Sequence, residues 1–281
     1  MIDLHCHSTC SDGTFTPEEL AEKGRDFACF ALTDHDTCAG CRRFFEATRG
    51  QRGVRLAGVE LSVDPGEGYG DFHLLGIGVD PENAELNEFT QSIRQERDAR
   101  NRRMVDNLAK LGMEVPFDDV MAQAVASGET VGRPHLARAM MSRGYVASVK
   151  EAFDRFLGDG RPAYSARRHP SQAESIARIH AAGGVAVMAH PRYWTSDPDA
   201  LRSGLKRLMD MGLDGIEALY QTNPPAVTIA HLRLARELGL VVTAGSDFHG
   251  ANKPEISLGM RIDDETALLA PLLARLEERR R

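Results

Sequence analysis

Histidines and acidic residues recur along this 281-residue chain in short clusters, most of them directly behind a run of apolar residues. The clusters are Asp3-Leu4-His5-Cys6-His7-Ser8, Ser11-Asp12-Gly13, Thr33-Asp34-His35-Asp36, Glu60, Phe72-His73, Ala189-His190-Pro191 and Gly245-Ser246-Asp247-Phe248-His249. They hold six of the ten histidines. Imidazole and carboxylate together suit Mn, Fe or Zn, and a neutral imidazole binds such ions near pH 7 with little proton cost. Alternate residues of an extended segment share a face, so His5 and His7 point one way with Cys6 opposite, and Asp247 and His249 pair in the same manner. One histidine of this kind is most often a structural hydrogen bonder. Together the candidates exceed the four or so ligands that one structural zinc uses, and so predict a cluster of ions. A carboxylate such as Glu60 can bridge two ions, and water between them loses a proton near neutral pH, which is chemistry suited to attack on phosphorus. Neither a GxSxG elbow nor a P-loop GxxxxGK[ST] occurs, which argues against a serine nucleophile and against ATP hydrolysis at a Walker loop.

The apolar runs are the elements that must position these groups. Seven read as strands: Ile2 to Leu4, Phe27 to Leu32, Val54 to Leu61, Phe72 to Gly78, Gly184 to Ala189, Asp214 to Leu219 and Leu240 to Ala244. Amphipathic stretches lie between several of them, with helix-start signals at Thr16-Pro17-Glu18-Glu19 and Ser171-Gln172-Ala173-Glu174. The pattern predicts an α/β chain of βα units wound as a parallel, closed or nearly closed barrel, whose strand ends meet on one face. Alternation stops between about Arg94 and Arg168, where helical patterns follow one another without a strand. The expectation is a barrel from residues 1–93 and 169–281, with an inserted helical cap subdomain over 94–168.

The whole chain carries a formal charge of −7, which argues against a general nucleic-acid coat. Residues 94–168 hold 14 Lys and Arg against 10 Asp and Glu, so this segment is +4 and the remainder −11. Bound cations offset part of that acidic excess, and the basic segment can meet an anionic substrate. Arg133 can grip a phosphate with two parallel donors and His135 can add a third, both from a helix start that itself favours anions. Arg192, Tyr164 and Asn223 are further substrate-binding candidates by location alone. Five cysteines without a secretion pattern point to reduced thiols, and Cys38 and Cys41 read as a plain helix start. No apolar run approaches the roughly 20 residues of a membrane span, so a cytoplasmic protein is expected.

The succession DLHxHS, SDG, LTDHD, GVE, FHLLG, AHP and GSDFHG resembles the PHP (polymerase and histidinol phosphatase) family of metallophosphoesterases over nearly the whole chain, and most of all its TrpH-like or YciV-like branch. The resemblance implies a distorted seven-stranded (β/α) barrel with two to three divalent ions at its mouth, Mn first and Fe or Zn after it. One ion would take His5, His7, Glu60 and Asp247; a second would share Glu60 and add His73 and His190; a third would take Asp12, His35 and His249. Many members have His where this chain has Asp12, which keeps a ligand but weakens any claim that the third site is always filled. Glu60 and Asp247 are then catalytic, Asp247 by orienting the attacking water. Asp34 either orients a ligand or moves a proton directly. The branch implies removal of the 3'-phosphate from nucleoside 3',5'-bisphosphates such as pAp, and 5'-to-3' trimming of short RNA. Histidinol phosphate or another small phosphate ester is the alternative substrate. A non-catalytic metal-binding regulatory module is the alternative of another class, which a missing ligand would favour.

Overall fold

The computed structural model describes residues 1–127 and 131–280. Its strands are β1 (Ile2–Asp3), β2 (Cys29–Leu32), β3 (Val54–Ser62), β4 (His73–Ile77), β5 (Val185–Met188), β6 (Gly215–Tyr220) and β7 (Val241–Gly245). The helices in chain order are α1 (Pro17–Lys23), α2 (Cys41–Ala47), α3 (Ala84–Lys110), α4 (Phe117–Ser127), α5 (Arg133–Ser142), α6 (Val149–Ala152), α7 (Gln172–Ala181), α8 (Pro198–Asp210), α9 (Pro225–Leu238) and α10 (Glu265–Arg279). The start signals act as the sequence suggests. Thr16 and Glu19 form a reciprocal capping box on α1, and the Ser171 side chain accepts from the Glu174 amide to cap α7.

The strands form one sheet in the order β1 to β7. The amide of Leu4 donates to the Ala244 carbonyl at 2.9 Å and that of His7 to Phe248 at 2.9 Å, bringing the first and last strands together in a nearly closed barrel. The expected all-parallel winding needs one correction, because β4 runs antiparallel to both β3 and β5. Only residues 63–72 join β3 to β4, fewer than the dozen or more that a parallel crossover requires, so the chain turns back as a hairpin. Reversal leaves the site intact: His73, first residue of β4, starts at the end of the barrel where the other strands finish.

Ile2, Leu4, Ala31, Leu75, Val187 and Ala244 belong to one apolar cluster, which Leu269, Leu272 and Leu276 of α10 join. Burying each such Leu, Ile or Val contributes about 1.5–3 kcal/mol, which makes a stiff platform for the polar end. Two compact units divide the chain, one of residues 1–91 and 169–281, the other Ser92–Arg168. The second contains helices and no strand among its described residues, and has its own core around Met104, Leu108, Val120, Leu136 and Met140. All five cysteines are free, and Cys38 and Cys41 are buried with their thiols toward the Gly58 carbonyl, so the CxxC pair is packing at a helix start.

Candidate active site

His5 and His7 follow β1, His35 follows β2, Glu60 lies within β3, His190 follows β5, and Asp247 and His249 follow β7. Their side chains, with Asp12 and His73, converge on Glu60. Its Oε2 lies 3.2 Å from His5 Nε2, 3.2 Å from His7 Nε2 and 3.0 Å from His35 Nδ1. Its Oε1 lies 2.9 Å from both His73 Nδ1 and His190 Nε2. Asp247 Oδ1 lies 3.5 Å from His5 Nε2 and 3.3 Å from His7 Nε2, and Asp12 Oδ1 lies 3.4 Å from His249 Nε2.

Three groups of potential ligand atoms result: His5, His7, Glu60 and Asp247; His7, Asp12, His35 and His249; and His35, Glu60 and His73. The first coincides with a set implied by the resemblance. In the other two His7 and His35 each join a second group, and His190 approaches the third through Glu60 and through His73 Nδ1 at 3.3 Å. His5 Nε2, His7 Nε2, Asp12 Oδ1, His35 Nδ1 and Glu60 Oε2 are buried without a hydrogen-bond partner. Each such atom costs about 1–3 kcal/mol unless something else satisfies it. Five converging in one place, in a mixed nitrogen and oxygen set, fit divalent cations.

Charge supports this arrangement. Burial opposes the imidazolium of His5, but Glu60, Glu217 and Asp247 carry its pKa well above the ordinary value. Against the same burial, the Asp247 and Glu60 carboxylates beside its ring lift His7 to about 9. Burial alone would raise Glu60, yet the surrounding histidines hold it well below the usual carboxylate range. His35 goes the other way, down to about 3, because desolvation outweighs its acidic neighbours. A cation has the same sign as the proton these groups compete for. Two ligand candidates also sit at positive φ, His190 at 28° and Asp247 at 59°, the kind of backbone strain that gathers at functional sites.

Supporting residues that the sequence reading missed surround the cluster. Glu217, fully buried on β6, places Oε1 3.0 Å from His5 Nδ1 while Oε2 accepts from the His190 amide at 2.8 Å. Gly245 makes room for this: a Cβ there would stand 2.2 Å from Glu217 Oε1 and 2.4 Å from His5 Cβ. Asp3 accepts from the Ser246 amide and hydroxyl and from the Gly259 amide, and burial raises its pKa to about 6. A lone acid inside an apolar strand run, as in Gly-Ile-Glu-Ala-Leu-Tyr, was the available signal for Glu217.

Asp34 is not among the converging atoms. Its carboxylate accepts from the Ser8 amide and hydroxyl and from the Ser11 hydroxyl at 2.6–2.7 Å, contacts that fix the His7 loop and suit the ligand-orienting role. In the helical unit the His135 ring is buried and its Nδ1 accepts from the Gly132 amide at 3.0 Å, a helix-capping contact. Arg133 pairs with Asp159 at 2.7 Å, and the Tyr164 hydroxyl donates to the same carboxylate. In the barrel unit Arg192 donates to the Thr222 carbonyl and lines a cavity of about 590 Å3, whose walls come from α8 and α9 and include none of the ligand candidates. Asn223 donates to the Ala218 carbonyl.

Residues 3–158 match the PHP domain. The chain belongs to this family. Across 88% of this PHP chain and 89% of the relative it is 36% identical to a 5'-3' exoribonuclease from Haemophilus influenzae. Across 99% and 97% it is 32% identical to a 3',5'-nucleoside bisphosphate phosphatase from Chromobacterium violaceum. A solved metal-dependent phosphoesterase from Bifidobacterium adolescentis shares 34% identity at a TM-score of 0.77, covering 98% of this chain and 96% of its own. An amidohydrolase from Chromobacterium violaceum, solved with sulfate, shares 31% at 0.78, covering 99% and 96%. The fold and the enzyme class follow: this PHP protein is a metal-dependent phosphoesterase with the α/β barrel of its relatives.

Proposed function

We propose that the enzyme removes the 3'-phosphate of nucleoside 3',5'-bisphosphates such as pAp, and that it also trims short RNA from the 5' end. When bound, two or three divalent ions, Mn2+ first, supply a nucleophile from water near neutral pH and screen phosphoryl charge. His5, His7, Glu60 and Asp247 would hold one, His73 and His190 with Glu60 a second, and Asp12, His35 and His249 a third. Asp12, His35 and His73 are the more open of these, with side chains 27%, 15% and 25% exposed, and so mark the side from which a phosphate ester enters. Asp34 and Glu217 keep the ligands in place, as outer partners do in metal sites. Five free thiols support a reducing, cytoplasmic setting, and among the described residues no helix is long and apolar enough to cross a membrane.

The choice of a doubly phosphorylated nucleotide is carried by one observation in the helical unit. Arg100 is buried, pairs with no carboxylate among the described residues, and lies near the positive charges of Arg133, Arg167 and Arg97. Burial, then those neighbours, lowers its pKa to about 10. A buried guanidinium with no carboxylate of its own suits a phosphate group, which Arg133 can join by leaving the exposed Asp159. The names of the relatives support the same substrate class. Phosphate release with Mn2+ should be measured on pAp, 3'-AMP, 5'-AMP, sugar phosphates and histidinol phosphate. pAp should be preferred over 3'-AMP by about one to two powers of ten in kcat/KM, the worth of one charge-assisted contact pair. Equal rates on the two nucleotides, or a preference for histidinol phosphate, would refute the assignment.

A further inference from the structure

The two oxygens of Asp247 keep different company. Oδ1 faces His5, His7 and His249 at 3.3–3.5 Å, whereas Oδ2 accepts from the Tyr220 hydroxyl at 2.9 Å and from Lys253 Nζ at 2.7 Å. Tyr220 closes β6, and Lys253 follows a short 3-10 turn six residues after Asp247. An oxygen that already accepts from a hydroxyl and an ammonium has little left to offer a metal ion. Lys253 is a standing positive charge with a side chain 37% exposed, next to a group built to gather cations.

We infer that Lys253, with Tyr220, is a positioning residue: it keeps Asp247 a one-oxygen ligand and so leaves open a coordination position that two-oxygen binding would fill. The inference rests on the metal-cluster reading of the site. A catalytic metal site needs such an open position for water or substrate, whereas a closed ligand shell is the mark of a structural site. Lys253 therefore trades metal affinity for turnover. Loss of the ammonium lets Oδ2 swing onto the ion and also removes a repulsion. A unit positive charge hydrogen-bonded to the Asp247 carboxylate, screened as in water because the lysine is partly exposed, would weaken binding of a divalent ion there on the order of tenfold.

The test is Lys253→Met, with Lys253→Arg and Tyr220→Phe, each loaded with Mn2+ and followed by calorimetry and by competition with a chelating dye. Lys253→Met should bind Mn2+ about tenfold more tightly while kcat falls and KM changes little; Lys253→Arg should keep both within a factor of about three, because charge and donor remain. Tyr220→Phe should tighten binding less, in the same direction. A lysine that merely supported the loop would give the opposite sign, looser metal together with slower turnover, and that result or unchanged affinity overturns the inference. Should Lys253→Met fail to fold, the Tyr220→Phe result decides. Wild-type protein that binds no Mn2+ would instead refute the cluster reading itself.

Discussion

Glu217→Gln isolates one supporting contact without changing the shape of the site. Both carboxylate oxygens accept, Oε1 opposite His5 Nδ1 and Oε2 from the His190 amide, and both lie fully buried. Glutamine has one oxygen, so one of those two N–H groups must face an NH2. The backbone amide of His190 cannot change, but the imidazole can move its proton to Nε2. That is the nitrogen His5 turns toward Glu60 and Asp247, and once protonated it is no ligand. Loss of an outer partner of a ligating histidine costs about 10–100-fold in metal affinity, or about 1.4–2.8 kcal/mol. Chelator competition with Mn2+ and Zn2+ should show that loss at the tightest site, with a circular dichroism spectrum like that of the parent. Undiminished affinity in a folded Glu217→Gln protein would refute both the tautomer argument and the assignment of His5 Nε2 as a ligand.

Glu60→Gln should abolish turnover and reduce the two to three ions per chain expected by elemental analysis, since five imidazoles share that carboxylate; a single tightly held ion that survives both Glu60→Gln and His73→Ala would sink the cluster. If Arg133 reads the uncleaved phosphate as proposed, Arg133→Ala should raise KM for pAp roughly tenfold and change 3'-AMP kinetics far less; equal losses on the two would show that it supports only the fold. Metal-free protein should be less stable at pH 9.5 than at pH 6. His7 rises from 6.5 to about 9 on folding, so its contribution is complete below about 6.5 and lost as pH climbs through about 9, with a ceiling of about 3 kcal/mol. Urea midpoints at the two pH values measure this, and a higher midpoint at pH 9.5 would contradict it.

The ligand candidates were legible because barrel geometry sends residues far apart in sequence to one end, so a histidine or acid just past an apolar run has few other places to go. The direction of β4 was not legible from alternation, which reads the same both ways along a strand; the short link 63–72 held that information. His135 shows the limit of residue type as a guide. At the third helical position its ring nitrogen serves the Gly132 amide, a local hydrogen bond that spacing alone does not separate from a ligand contact. Lys253 and Arg100 gave no signal at all. Each looks like any solvated charge until the fold sets one on Asp247 and buries the other beside three more arginines.

Glu60 has a consequence for how the centre fills. Its Oε2 faces His5, His7 and His35, and its Oε1 faces His73 and His190, so two ions bound as proposed would count the same charge from either side. Binding there is linked: whatever the first ion does to the affinity of the second, the second does equally to the first. Two terms of opposite sign compete, because the first ion withdraws charge from the shared carboxylate but also freezes imidazoles that the second then need not order. With two ions in place, loading curves would be a property of the pair, and a dissociation constant assigned to one ion would have meaning only with the occupancy of its neighbour stated.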